Sequence, residues 1–153
     1  MKWKHPPIIK IYEALGSVAD GRLKLDGNFA KVYSSSGNKF YTVTFDPTSQ
    51  SIMVNDNGSF YKGYLGYPAI SFLMTVGELD YSPASAQLLK GIPWKDINQK
   101  FKNNFDKTLN YILESKTPEE KAVLEQEVQN IDNQLKAKSY NLFGAKVQPP
   151  EGY

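Results

Sequence analysis

The chain has 153 residues, a net charge of +2, 41% hydrophobic and 22% charged residues, the proportions of a chain that buries a real core rather than those of a disordered one. It has no cysteine and a single histidine, which excludes disulfides, thiolate zinc sites and cysteine nucleophiles, and leaves a transition-metal site almost nothing to build on. With so small a net charge, a nucleic-acid partner needs a local basic patch rather than a global attraction.

No apolar run reaches the roughly 20 residues that a membrane span requires. The opening MKWKHPPIIKIYEALG meets charge and proline too early for a secretory signal. A cytoplasmic protein outside the membrane is the expectation.

Pro6 and Pro7 followed by Ile8, Ile9, Tyr12, Leu15 and Ala19 predict a first helix over 7–19, with proline where the first turn tolerates it. Turn signals at Asp26-Gly27, Ser36-Gly37-Asn38 and Asp46-Pro47 separate four segments: Arg22 to Leu25, Phe29 to Ser34, Lys39 to Phe45 and Ser51 to Asn55. Their alternation and β-branched or aromatic content predict a four-stranded antiparallel meander. A glycine-rich polar loop follows, and AISFLMTV, opened by Pro68 and closed by Gly77, predicts a short buried helix. Ser82-Pro83 predicts a further short helix reaching Lys90. Trp94, Ile97, Phe101, Phe105, Leu109 and Ile112, at steps of three and four, predict one amphipathic helix.

Thr117-Pro118-Glu119-Glu120 is a capping box with proline in the first turn, so a last helix starts there. Its apolar residues Leu124, Val128, Ile131 and Leu135 form a short heptad-like seam. That seam serves either the chain's own core or a partner helix, and a partner use requires it to stay uncovered in the monomer. The fold expected is α+β: one globular domain over 1–147, with a meander and short helix at 22–76, a helical half at 82–139 and a flexible tail at 148–153.

The chemistry on offer is sparse. His5, next to two prolines, reads as a terminal residue, and no metal site, cofactor or catalytic group is assigned. Asn55-Asp56-Asn57-Gly58 lacks the later ligands of a calcium loop. Gly58 and Gly63 have the separation of phosphate-loop glycines, but Tyr64-Leu65 stands where lysine and a hydroxyl residue are needed. Gly63-Tyr64-Leu65-Gly66 has only the spacing of a KH-type clamp. An enzyme would require carboxylates such as Asp56, Glu78 or Asp80 to converge with a lysine in a cleft.

From AKVYSSSGNKFYTVTFD onward, the order of strand, turn, strand, glycine-bearing loop and short apolar helix resembles the SWIM-type ββα zinc module, over about residues 22–76. Where that module has C-x-C and C-x-H, this chain has Ile52-x-Val54 and Tyr67-x-Ala69, with Ile70 to Met74 as the helix that follows. The resemblance implies an apolar plug in place of zinc and a non-catalytic role in binding nucleic acid or protein. Nucleic acid is the leading partner, with Lys31, Lys39, Tyr41, Phe60, Tyr61, Lys62 and Tyr64 as contact candidates, since aromatic rings stack on unpaired bases and lysines meet phosphates. Association with protein, or with a second copy, through Leu124, Val128, Ile131 and Leu135 is the alternative.

Overall fold

The computed structural model describes residues 1–152. Helix α1 (Ile8–Ala19) starts after Pro7 and stops at Asp20-Gly21, where glycine takes a left-handed φ of 67°. Strands β1 (Leu23–Asp26), β2 (Phe29–Tyr33), β3 (Phe40–Asp46) and β4 (Ser51–Val54) form the antiparallel meander in sequence order. The β1–β2 turn is the two-residue pair Gly27-Asn28, with Asp26 opposite Phe29 and Gly27 at a φ of 60°, the backbone that tight hairpins need at this position.

Alternation along the strands puts Ala30, Val32, Tyr41, Val43, Phe45, Ile52 and Val54 on one buried face. The register stacks Ala30 beside Val43 and Val43 beside Val54, and sets Phe45 beside Ile52. Helix α2 (Tyr67–Thr75) lies on β3 and β4 and against α1, with Phe72 fully buried and edge-on to Phe45 at 6.0 Å between centroids. Ile52, Val54 and Ala69 all sit in this core, and Tyr67 packs against its edge. The ribbon, loop and helix therefore meet through apolar side chains, each buried large one contributing about 1.5–3 kcal/mol.

Helix α3 (Pro83–Gln87) is capped by Ser82, whose hydroxyl accepts from the Ser85 amide. The spacing from Trp94 to Ile112 predicts one helix, but two are present: α4 (Trp94–Lys100) and α5 (Phe105–Leu113). Between them Lys102 and Asn103 adopt φ values of 52° and 60°, and the Asn104 side chain caps α5 by accepting from the Lys107 amide. Asparagine tolerates the left-handed region and caps helices well, so Asn103-Asn104 outweighs the apolar period. Helix α6 (Pro118–Ala137) opens with the expected capping box, Thr117 and Glu120 each accepting from the other's amide.

The seam residues Leu124, Val128, Ile131 and Leu135 face inward, with α6 packed on α1 and α3. This places them in the chain's own core and out of a partner's reach. Two pairings were not expected. Strand β5 (Asn141–Leu142) adds to the sheet parallel to β4, and the amino-terminal segment bridges to Asn141 and Tyr64. Beyond β5, residues 148–152 carry no regular structure. The Gln148, Pro150 and Gly152 carbonyls nonetheless accept hydrogen bonds from Asn55 and Lys39. Among the described residues no helix is long and apolar enough to cross a membrane.

Candidate functional site

An open cleft of about 890 Å³ lies between α1, the sheet and the α4–α5 corner, with the segment from Asp56 to Tyr67 as one wall. Its position follows from three local features. Helix α1 is buried nearly all round, so Lys10 and Glu13, the only charged residues it carries, form an i,i+3 polar stripe that cannot reach open solvent along the helix. Residues 58–62 form a single π-helical turn closed by Gly63 at a φ of 78°, which swings Tyr61 and Lys62 to the mouth. The α4–α5 break brings Asn103 and Phe105 to the opposite rim.

Five of the seven expected contact residues, Lys39, Tyr41, Tyr61, Lys62 and Tyr64, line this one cleft. The other two do not reach it. Lys31 lies over the Phe40 ring at 4.8 Å, and Phe60 packs edge-on to Tyr61 at 5.0 Å. Tyr61 is 69% exposed, an open aromatic face. Tyr41 is buried, edge-on to Tyr67 at 6.1 Å, and burial pushes its hydroxyl up to about 12.

The floor is a buried polar network. Asp56, 5% exposed, accepts from the Ser59 hydroxyl at 2.5 Å and the Ser59 amide at 3.3 Å, and that hydroxyl accepts from the Gly66 amide. A side chain at Gly66 would collide with the Asp56 carboxylate, so glycine is required where helix α2 begins. Glu13, 3% exposed, pairs with Lys10 at 2.8 Å and accepts from the Asn98 amide at 2.6 Å. The Asn98 Oδ1 atom is buried with no partner. Burial alone would lower the Lys10 pKa, but Glu13, Tyr64 and Asp56 together raise it. The Asp56 pKa is also raised, because burial outweighs the hydrogen bonds from Ser59 and the charge of Lys10.

Among the described residues five cations line the cleft, Lys10, Arg22, Lys39, Lys62 and Lys95, against two carboxylates, Glu13 and Asp56. Lys10 is committed to Glu13, and Arg22 to Asp20 and to the Tyr33 carbonyl. Lys39 instead donates to the Pro150 and Gly152 carbonyls. Lys95 is lowered to about 8 by burial and then by the neighbouring Lys39 ammonium, with Asp96 acting against both. Two like charges are thus held together in a partly sheltered space, an arrangement that an anion stabilises.

The sequence reading missed Lys10, Glu13, Arg22, Lys95 and Asn98. Lys10 and Glu13 carried a usable signal, since a charged pair in an otherwise apolar helix must be buried with it. Lys95 and Asn98 did not, because their place depends on the unforeseen corner after α4. Glu78 and Asp80 lie elsewhere, tied to the carboxy-terminal part of α6: Lys138 reaches Glu78, and Gln134 holds the Asp80 backbone. His5 donates from Nε2 to the Asp132 carboxylate at 2.6 Å. Among the described residues no group of three or more His, Cys, Asp or Glu is placed to hold a metal ion.

The raised Asp56 pKa has a stability consequence. A protonated Asp56 in the folded state binds more proton than the unfolded chain does, so this group's contribution falls as pH rises from about 4 through its folded pKa. Asp132 acts in the opposite sense: burial would raise it, but His5 and Lys136 bring it below the usual range. Subtracting the urea-unfolding curves of the wild type from those of Asp56→Asn across pH isolates the first effect. The expected difference grows in favour of the variant as pH rises, and a difference independent of pH would contradict a raised Asp56.

The sequence model of the family described as "Uncharacterised conserved protein UCP014422" matches residues 3–141, which is most of the chain and includes every cleft residue named above except Gly152. The chain belongs to that family. No curated protein and no solved structure matches.

Proposed function

We propose that this member of the family is a non-catalytic binding module for single-stranded nucleic acid, with one unpaired nucleotide entering the cleft. The observation that carries the reading is the convergence of Lys39, Lys62 and Lys95 with the exposed Tyr61 ring on one concave site where, among the described residues, cations outnumber carboxylates. A base stacked on Tyr61 leaves its phosphate near the lysines of the mouth. An anion there competes with the Pro150 and Gly152 carbonyls for Lys39. The unpartnered Asn98 Oδ1 in the floor suits an exocyclic amine of a base. The ribbon, loop and helix order that resembles SWIM-type modules belongs to the same proposal and points to the same ligand class.

Fluorescence anisotropy with labelled single- and double-stranded DNA and RNA over a salt series tests it. Association that weakens with salt and favours single strands is expected. No association at low salt would overturn the reading. Tyr61→Ala should weaken single-strand binding by the worth of one stacked base, about 1–3 kcal/mol. Its unfolding free energy should move by no more than about 0.5 kcal/mol, since the ring is largely exposed.

A second reading is favoured by one observation, the buried Asp56 carboxyl with a raised pKa beside Lys10 in the same cleft. This is the convergence that an enzyme would need, with a carboxyl whose burial favours its protonated form set beside a lysine. Turnover of a generic phosphodiester that disappears in Asp56→Asn, with binding retained, would favour it over simple binding.

A further inference from the structure

A second concavity, of about 430 Å³, lies beside the cleft. Lys2, Lys4, Lys136 and Lys138 line it together with His5, and among the described residues no carboxylate does. The two sites share a rim. Tyr64 lines the cleft while the next residue, Leu65, lines the groove. The amino-terminal segment is fastened along this rim: the Lys4 amide donates to the Gly63 carbonyl at 2.9 Å, and the Leu65 amide donates to the Lys4 carbonyl at 3.1 Å. The side chains of Lys4 and Lys146 both come within 4 Å of where a Gly63 side chain would begin. Lys62, the residue before Gly63, faces the cleft.

Cations therefore run without interruption from the cleft mouth, over the Gly63 turn, into the groove. Lys136 and Lys138 are partly offset by Asp132 and Glu78. No described carboxylate is within 4.0 Å of Lys2, Lys4, Lys62 or Lys146. Lys146 donates to the Phe60 carbonyl, and that bond holds it at the rim. A small anion would occupy one of the two concavities and gain nothing from the other. Only a ligand with regularly repeated negative charge uses both.

We propose that the groove is a second phosphate-binding subsite, and that the ligand is a single strand crossing the Gly63 rim, with one nucleotide in the cleft and following phosphates along Lys62, Lys4 and Lys2. This rests on the reading of the cleft given above and extends it to a minimum ligand length. The strand's flexible backbone lets it turn over the rim, which a duplex cannot do without a bending cost.

The test compares thymidine monophosphate with oligothymidylates of up to about twelve nucleotides, for the wild type and the Lys2→Gln, Lys4→Gln double variant. Both lysines are exposed, and the rim hydrogen bonds of Lys4 are made by its main chain, so the fold should persist, checked by circular dichroism. Affinity is expected to climb with length for the wild type. The double variant should match it on the monophosphate and fall behind by about tenfold or more on the longest strand, with a salt slope lower by about 1.4, two lysines at about 0.7 each. Equal affinity at every length, or a double variant that equals the wild type on long strands, would overturn the groove and leave the cleft standing. Poly-glutamate binding as tightly as the oligonucleotide would overturn the ligand class. No binding of any nucleotide or strand at low salt would remove both readings together.

Discussion

Phe72→Ala is expected to cost about 3–5 kcal/mol, a large part of the 5–15 kcal/mol that a domain of this kind typically has in reserve. Phe72 is fully buried and is one of the contacts through which α2 meets the sheet, with its ring edge against Phe45. The neighbours on both sides are fixed: Phe45 by its pairing with Ile52 and by Tyr140 at 6.2 Å, and α2 by its packing on α1. Neither wall can close on the space a ring leaves, so the cavity term adds to the lost burial. The effect should also reach the cleft, since α2 begins at the residues that touch its floor, Gly66 beside Asp56 and Tyr67 beside Tyr41. Thermal melts should show a midpoint lower by about 10 °C or more, while Val123→Ala, at an exposed position of α6, should shift it little. A loss below about 1.5 kcal/mol for Phe72→Ala would mean that α2 is not held as described.

The fold was legible in the sequence wherever local chemistry and burial agreed. Gly27 marks the first hairpin because its backbone is left-handed, the alternation in FYTVTFD marks β3 because one face is buried, and Thr117 with Glu120 marks α6 because the two satisfy each other's amides. Where a regular period and a capping signal disagreed, the period was the poorer guide. The steps from Trp94 to Ile112 describe which side chains face inward on α4 and α5, but not the corner at Lys102 and Asn103 that redirects the chain. Strand β5 was illegible for a different reason. Two residues added in parallel to a sheet edge, Asn141 and Leu142, leave no periodicity to read. The aromatic and basic half of the cleft was legible because it lies on one loop and one strand. The floor was not, since it joins residues from α1, the Asp56 turn and α4, and the network among Glu13, Asn98, Lys10 and Asp56 exists only once those elements meet.

The double variant Lys39→Glu, Lys62→Glu should reduce single-strand affinity by at least about tenfold at moderate salt and flatten its salt dependence. Each lysine lost removes about 0.7 from the slope on a single strand, and each added carboxylate repels phosphate as well. Neither position holds a core element in place. Lys62 has an exposed side chain, and Lys39 is bound to main-chain carbonyls of the carboxy-terminal segment rather than to a carboxylate of the core. Stability should therefore change far less than affinity, and this separates the variant from Phe72→Ala, where stability moves first. Lys95 adds a pH signature to the same measurement. Its pKa of about 8 in the free protein comes from burial and from Lys39, so above that pH it loses the charge that a phosphate would use, and wild-type affinity should decline as pH rises through 8. In the double variant Lys39 no longer presses on Lys95, and a glutamate at position 39 favours its charged form, so the decline should move to higher pH. An affinity that is flat across this range in the wild type would place the phosphate away from Lys95, and equal affinity for wild type and double variant would remove the cleft from the account altogether.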